Sequence, residues 1–176
     1  ALGGFSLRLA AQGERVSDLA RSLEVRLVLA RGGLTYGNDA PGDARPVAFG
    51  IDSMVMSLPA GQSLSMQASG SLLDQPVSAS LRGAPLEDLM TRAAPFQVRA
   101  SSRSIGVSLE GTIDDIGSAR GAQLQFALNA ADAADAAQWF DLRTPRGRAV
   151  PLAVAGRARW RTGQWSLEDA SLRLGR

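Results

Sequence analysis

The chain has 176 residues, with 19 basic and 17 acidic side chains; every basic residue is Arg, and Lys, Cys and His are absent. Thiol nucleophiles, disulfides, Cys/His zinc sites, a Ser-His-Asp triad, a Lys Schiff base and a P-loop lysine are therefore excluded. The sequence pI of about 10.3 reflects missing titratable groups rather than a basic surface, because a net charge of +2 holds on a plateau between the carboxylates and the one tyrosine, Tyr36.

The dominant signal along the chain is period-two alternation of apolar and polar residues, the signature of half-buried strands. Phe5, Leu7 and Leu9 form the first such run. A helix-like segment over 16–23 follows, then Leu23, Val25, Leu27 and Leu29 as a second strand. Turn chemistry at Arg31-Gly32-Gly33, Gly37-Asn38-Asp39 and Pro41-Gly42-Asp43 separates it from Val47, Phe49 and Ile51. Met54, Met56 and Leu58 come next, closed by a turn at Pro59-Ala60-Gly61. Leu64, Met66 and Ala68, then Val77, Ala79 and Leu81, predict two more strands. A short helix is expected over 85–92, with Pro85 at its first helical position.

Phe96, Val98 and Ala100, then Ile105, Val107 and Leu109, then Leu124, Phe126 and Leu128, continue the alternation. An Ala-rich helix over 131–140 carries Asp132 and Asp135 near its start, where acidic groups suit the helix dipole. After a turn at Arg146-Gly147, Val150, Leu152 and Val154 open a further strand, and Leu172 and Leu174 read as strand-like.

Alternation with one wet face points to antiparallel pairing, since parallel sheets covered on both faces read as continuous apolar runs. The expected fold is mainly β: a curled antiparallel sheet, forming a groove or an open barrel-like shape or closing as a sandwich, with two or three short helices. Gly70, Gly111 and Gly156 lie inside strand patterns, where a glycine commonly marks a bend or bulge. They also anchor weak repeat units near 62–92, 103–140 and 150–176 within a single β-rich domain. No run reaches the ~18–20 apolar residues needed to span a bilayer, and no signal-peptide pattern opens the chain. Both ends are strand-like, so the expectation is a fragment of a longer protein.

Charged clusters supply little chemistry. In Glu87-Asp88, Asp114-Asp115 and Glu168-Asp169 the carboxylates are sequence neighbours, and neighbours on a strand point to opposite faces. Asn38, Asp39 and Asp43 make a thin calcium candidate beside the simpler reading of a Pro/Gly surface loop. Arg157, Arg159 and Arg161 share one strand face, with Ala158 and Trp160 on the other. That face suits anionic headgroup contact, or a solvated surface that resists aggregation. Nucleic-acid binding is not expected, because no stacking aromatics interleave with the arginines.

The order of pieces from Gln75 onward resembles the C-terminal region of AsmA-family proteins of Gram-negative bacteria. The residues that carry this likeness are the Leu-x-Gly-Thr-Ile strand from Leu109 to Ile113, the helix from Leu86 to Met90, and Trp165 with Gly175. It covers about the last hundred residues, with a looser match around 31–37. The resemblance implies a long curled sheet with an apolar groove, and a bridge-type role in moving phospholipid or maintaining the outer membrane. It also implies a periplasmic location, with the parent protein anchored in the inner membrane by a helix outside this chain. It offers no catalytic residues to carry over.

The expected function is thus non-enzymatic: binding or conducting acyl chains, with no cofactor, no metal and no nucleic-acid partner. The expected acyl-facing side chains are Leu64, Met66, Val77, Leu81, Phe96, Val98, Ile105, Val107, Leu109, Leu124, Phe126, Leu128, Leu152, Val154 and Trp160. Two alternatives stand beside it: a structural or interaction β-sandwich of an envelope protein, and polyanion binding through Arg157, Arg159 and Arg161.

Overall fold

A computed structural model describes residues 4–10, 22–36, 47–73, 75–114, 121–139, 148–161 and 164–175. The expected helix over 16–23, the turns at 37–43 and 146–147, and the calcium candidate Asn38, Asp39 and Asp43 lie essentially outside them.

The described chain is mainly β, with 74% of it in strands. The strands are β1 (Gly4–Ala10), β2 (Glu24–Tyr36), β3 (Val47–Leu58), β4 (Ser65–Leu72), β5 (Gln75–Gly83), β6 (Ala93–Ser102), β7 (Ile105–Asp114), β8 (Gly121–Ala130), β9 (Leu152–Arg161) and β10 (Gln164–Leu174). Two short helices interrupt them, α1 (Leu86–Thr91) and α2 (Ala133–Trp139). All ten strands belong to one sheet in strictly sequential order, β1 to β10, every pair antiparallel. The sheet is not closed into a barrel. The sandwich alternative is not what is observed, since the described strands form no second layer.

Alternation explains most of this sheet, and it slips phase at two places. Ile51 and Met54 are out of step, so they predict two separate strands. They instead belong to one strand, β3, whose pairing with β4 shifts between Ile51 and Ser53. Opposite that shift, Arg31 adopts φ 57 inside β2. The Arg31-Gly32-Gly33 turn is therefore corrected: Gly32 pairs with Ile51 and Gly33 with Gly50, and the strand runs through. Ladder hydrogen bonds to β3 override local turn chemistry there. Leu167 and Leu172 are out of step in the same way, and the β9–β10 register shifts between Glu168 and Ser171, with Asp169 at φ 51. A bulge adds one residue to one strand and so restores the phase of its side chains.

The turn at Pro59-Ala60-Gly61 is present, with Gln62 N–H donating to Pro59 C=O at 3.0 Å and Gly61 at φ 65. Gly fits that second central position because it tolerates positive φ. Pro85 precedes α1 as its N-cap rather than sitting at the first helical position. Leu89 N–H reaches Pro85 C=O at 3.1 Å, and Arg92 closes the last turn on Asp88. Their side chains also pair, at 2.6 Å, and this holds the Arg92 guanidinium above its ordinary pKa.

At α2, Asp132 is the starting cap. Its Oδ1 accepts from Ala134 N–H at 3.1 Å and from Val150 N–H at 3.3 Å. That second bond ties the incoming chain to the helix start, and the strand expected from Val150 begins only at Leu152.

Candidate functional site

Cross-strand register sorts the side chains into rows. Leu7, Leu27, Met56, Met66, Leu81, Val98, Leu109, Phe126 and Gly156 form one row across β1 to β9. Beside it run Leu29, Met54, Ala68, Ala79, Ala100, Val107, Leu128, Val154 and Leu172. On the other side lie Phe96, Gly111, Leu124, Ala158 and Leu167, with Leu9 paired to Val25 and Val25 to Leu58. Leu64 joins this row through the bond from Gly83 N–H to its carbonyl, 2.9 Å.

Val77 and Ile105 with Ala130, Leu152 and Leu174 lie toward one end of the strands. Ala94, Ile113, Ala122, Trp160 and Trp165 lie toward the other. The rings of Trp160 and Trp165 approach at 6.4 Å between centroids, tilted by 37°.

All of the expected acyl-facing residues, from Leu64 to Trp160, therefore fall on one face. The face is wider than expected: β1, β2, β3 and β10 contribute Leu7, Leu27, Met54, Met56, Leu167 and Leu172, which carry the same alternation. Ten strands at the usual separation make it roughly 43 Å across.

This face has almost no packed core. Among the described residues the buried hydrophobic ones are Leu58, Ala84, Leu89, Ala94, Ile105, Ala130, Ala136 and Ala137, so most are alanines. Six of them gather in two places. Leu89 of α1 packs on Ala84 and Ala94 at one end of the strands. Ala136 of α2 packs on Ile105 and Ala130 at the opposite end, with Val107, Leu128, Trp139 and Leu152 half-buried around them. The helices thus frame the apolar surface, while the central rows stay half-exposed.

The other face is mainly polar, with Val28 and Val55 paired on it in the row of Gln67 and Ser80. Ser53 and Ser69 share a hydroxyl hydrogen bond at 2.8 Å, as do Ser78 and Ser101 at 3.0 Å, and Gln97 donates to Glu110 at 3.3 Å. Several concavities open on this side among the described residues. One of about 540 Å³ lies among Gln67, Ser78, Ser80, Arg99 and Ser108. Another of about 830 Å³ lies beside α1 and is mixed, with Arg82, Asp88, Gln97 and Glu110 next to Leu64, Pro95 and Phe96.

Arg157, Arg159 and Arg161 alternate with Ala158 and Trp160 as expected. Their face is shared with acids: Arg157 meets Asp169 at 3.4 Å and Arg159 meets Glu168 at 3.3 Å. Arg159 Nε is buried without a partner. Of the acid pairs, Glu87-Asp88 occupies the first turn of α1, Glu168-Asp169 the β10 bulge, and Asp114 the end of β7. Among the described residues no group of three or more acidic side chains is placed to hold a metal ion. No helix among them is long and apolar enough to cross a membrane.

No family model, no curated protein and no solved structure matches the chain.

Proposed function

We propose that this chain is a non-enzymatic lipid-binding segment whose apolar sheet face receives acyl chains. The observation that carries this reading is the set of contiguous aliphatic rows with no second layer over them among the described residues. A surface of Leu, Val, Met and Phe gains about 25 cal/mol for each Å² it removes from water. A contiguous uncovered apolar patch marks an interaction site. An acyl chain is a suitable occupant because it brings apolar area and needs no hydrogen bonds along its length. Recognition without polar anchors is permissive, so the surface discriminates poorly among chain types.

The same reading accommodates the AsmA-like order of motifs, and with it a periplasmic, bridge-type role in phospholipid movement or outer-membrane maintenance. In that setting the membrane is reached through a parent protein's anchor. Headgroup contact by Arg157, Arg159 and Arg161 is a weaker part of the proposal, because Glu168 and Asp169 compete for the same guanidinium groups.

Native mass spectrometry and lipid extraction of gently purified protein test the reading, together with uptake of a fluorescent fatty acid. Co-purifying phospholipid and saturable uptake are expected. Protein that is free of lipid and takes up no fluorescent chain overturns it.

A further inference from the structure

We propose that the polar face of β4, β5 and β6 carries a binding site for a phosphate group, held between Arg82 and Arg99. The site is a cavity of about 260 Å³ whose polar lining is Ser65 and Gln67 from β4, Ser80 and Arg82 from β5, and Gln97 and Arg99 from β6. It lies on the face opposite the apolar rows, so it does not rest on the acyl-chain reading.

Register builds the site. Ser65 pairs with Arg82 and Arg82 with Gln97, while Gln67 pairs with Ser80 and Ser80 with Arg99. The two rows are two residues apart along each strand, so all six side chains share one face. Arg82 and Arg99 are thus diagonal neighbours on adjacent strands, about 7–8 Å apart by the usual antiparallel geometry. Two long guanidinium side chains at that separation reach a common anion.

Charge selects the ligand. Arg82 and Arg99 are both exposed, and among the described residues neither is paired with a carboxylate. Asp88 and Glu110 share a neighbouring cavity with Arg82, but both are engaged elsewhere. Asp88 pairs with Arg92, and Glu110 accepts from the Gln97 amide at 3.3 Å. Arg157 and Arg159, by contrast, each already face an acid. No carboxylate lines the cavity, and its hydroxyls and amides add donors to the two guanidinium groups. Guanidinium forks match phosphate oxygens in bidentate fashion, through charge-assisted bonds stronger than neutral ones. A phosphate monoester carries close to two charges and three acceptor oxygens, which suits two cations better than a single carboxylate does. It also relieves the repulsion between two like charges held side by side. The phosphate is carried by a small soluble ester or by a lipid headgroup, and the experiment separates these sources.

In the soluble arm, glycerol 3-phosphate and pyrophosphate are titrated into the protein by calorimetry, with sodium chloride at equal ionic strength as the reference. In the vesicle arm, the protein is floated with vesicles of phosphatidylcholine alone or with added phosphatidic acid. Saturable binding of the soluble esters is expected, with a rise in melting temperature of about 2–4 °C that chloride does not reproduce. Arg82→Gln and Arg99→Gln should each weaken binding about tenfold. Arg103→Gln, an equal loss of charge at the exposed β6–β7 turn, should stay within about twofold, because salt screens separated surface charges. Circular dichroism confirms that each variant is folded. Flotation only with phosphatidic acid, lost in Arg82→Gln and Arg99→Gln, would uphold the site with a lipid headgroup as the source. No binding in either arm would overturn the proposal, as would Arg103→Gln weakening binding as much as Arg82→Gln. Vesicle binding that survives both substitutions, with no soluble binding, belongs to the apolar face and also overturns it.

Discussion

The ring of Phe126 on β8 lies against Gly156, its cross-strand partner on β9: a Cβ added to Gly156 would fall 2.8 Å from Phe126 Cζ. The Cα of Ala170 stands 3.2 Å from the same position, so backbone crowds it as well as the ring. Gly156→Val is expected to destabilise the fold by about 1–3 kcal/mol, the usual cost of overpacking. Phe126→Leu should lower that penalty, giving a non-additive double variant in urea unfolding.

Gly111 and Gly106 lie on one strand but in opposite surroundings. A Cβ at Gly111 would run into the carbonyl oxygen of Gln123, whereas a Cβ at Gly106 meets nothing within 4 Å. Gly111→Ala is expected to cost about 2 kcal/mol or more, because backbone rather than a side chain must yield. Gly106→Ala should be neutral, or stabilising by about 0.5 kcal/mol, through a less disordered unfolded chain. Equal effects in chemical denaturation would refute the contrast.

The strand glycines were legible in the sequence as special positions, though what each one meets was not. Gly70 and Gly111 face a neighbouring strand's carbonyl and Gly156 faces a ring, distinctions that depend on register. The apolar face was legible for a simpler reason: side chains at i and i+2 must share a face, and that placed Leu64 to Trp160 together. The boundaries failed where the phase slipped, at Ile51 and Met54, because a bulge in a pair and a break between strands leave the same trace. Period two also reports only that one side of a strand is wet. It is silent on what lies over the dry side, so a closed sandwich and an open sheet could not be separated until the strand order was known.

Leu109 sits near the middle of the apolar face and Ser108 beside it on the polar one. Leu109→Asp is expected to weaken uptake of a fluorescent fatty acid roughly tenfold, since a buried aliphatic contact of about 1.5 kcal/mol is lost and a charge meets the chain. Ser108→Asp should leave uptake within about twofold. Titration of both variants checks this, and equal losses would remove the apolar face from the binding surface.

Asp132 holds two backbone donors at once, one at the start of α2 and one at Val150. Asp132→Ala is expected to cost about 1–2 kcal/mol, with Asn retaining most of the stability because it still offers an oxygen acceptor. Thermal melts should show a drop of about 2–8 °C for Ala and a much smaller one for Asn. A variant with Ala that melts like the parent would show that water replaces both bonds.

Among the described residues each strand is bonded only to its neighbours in chain order, from β1 to β10. Such a sheet has a length in the way a ladder has rungs, and its stability is close to a sum over neighbouring pairs. Hydrogen exchange should then grade outward, slowest in the middle rungs and fastest at the two ends. Inserting or deleting one hairpin changes the width by about 9–10 Å and leaves every other pairing intact. Gene duplication could therefore tune the span of this surface in fixed increments without inventing a new fold.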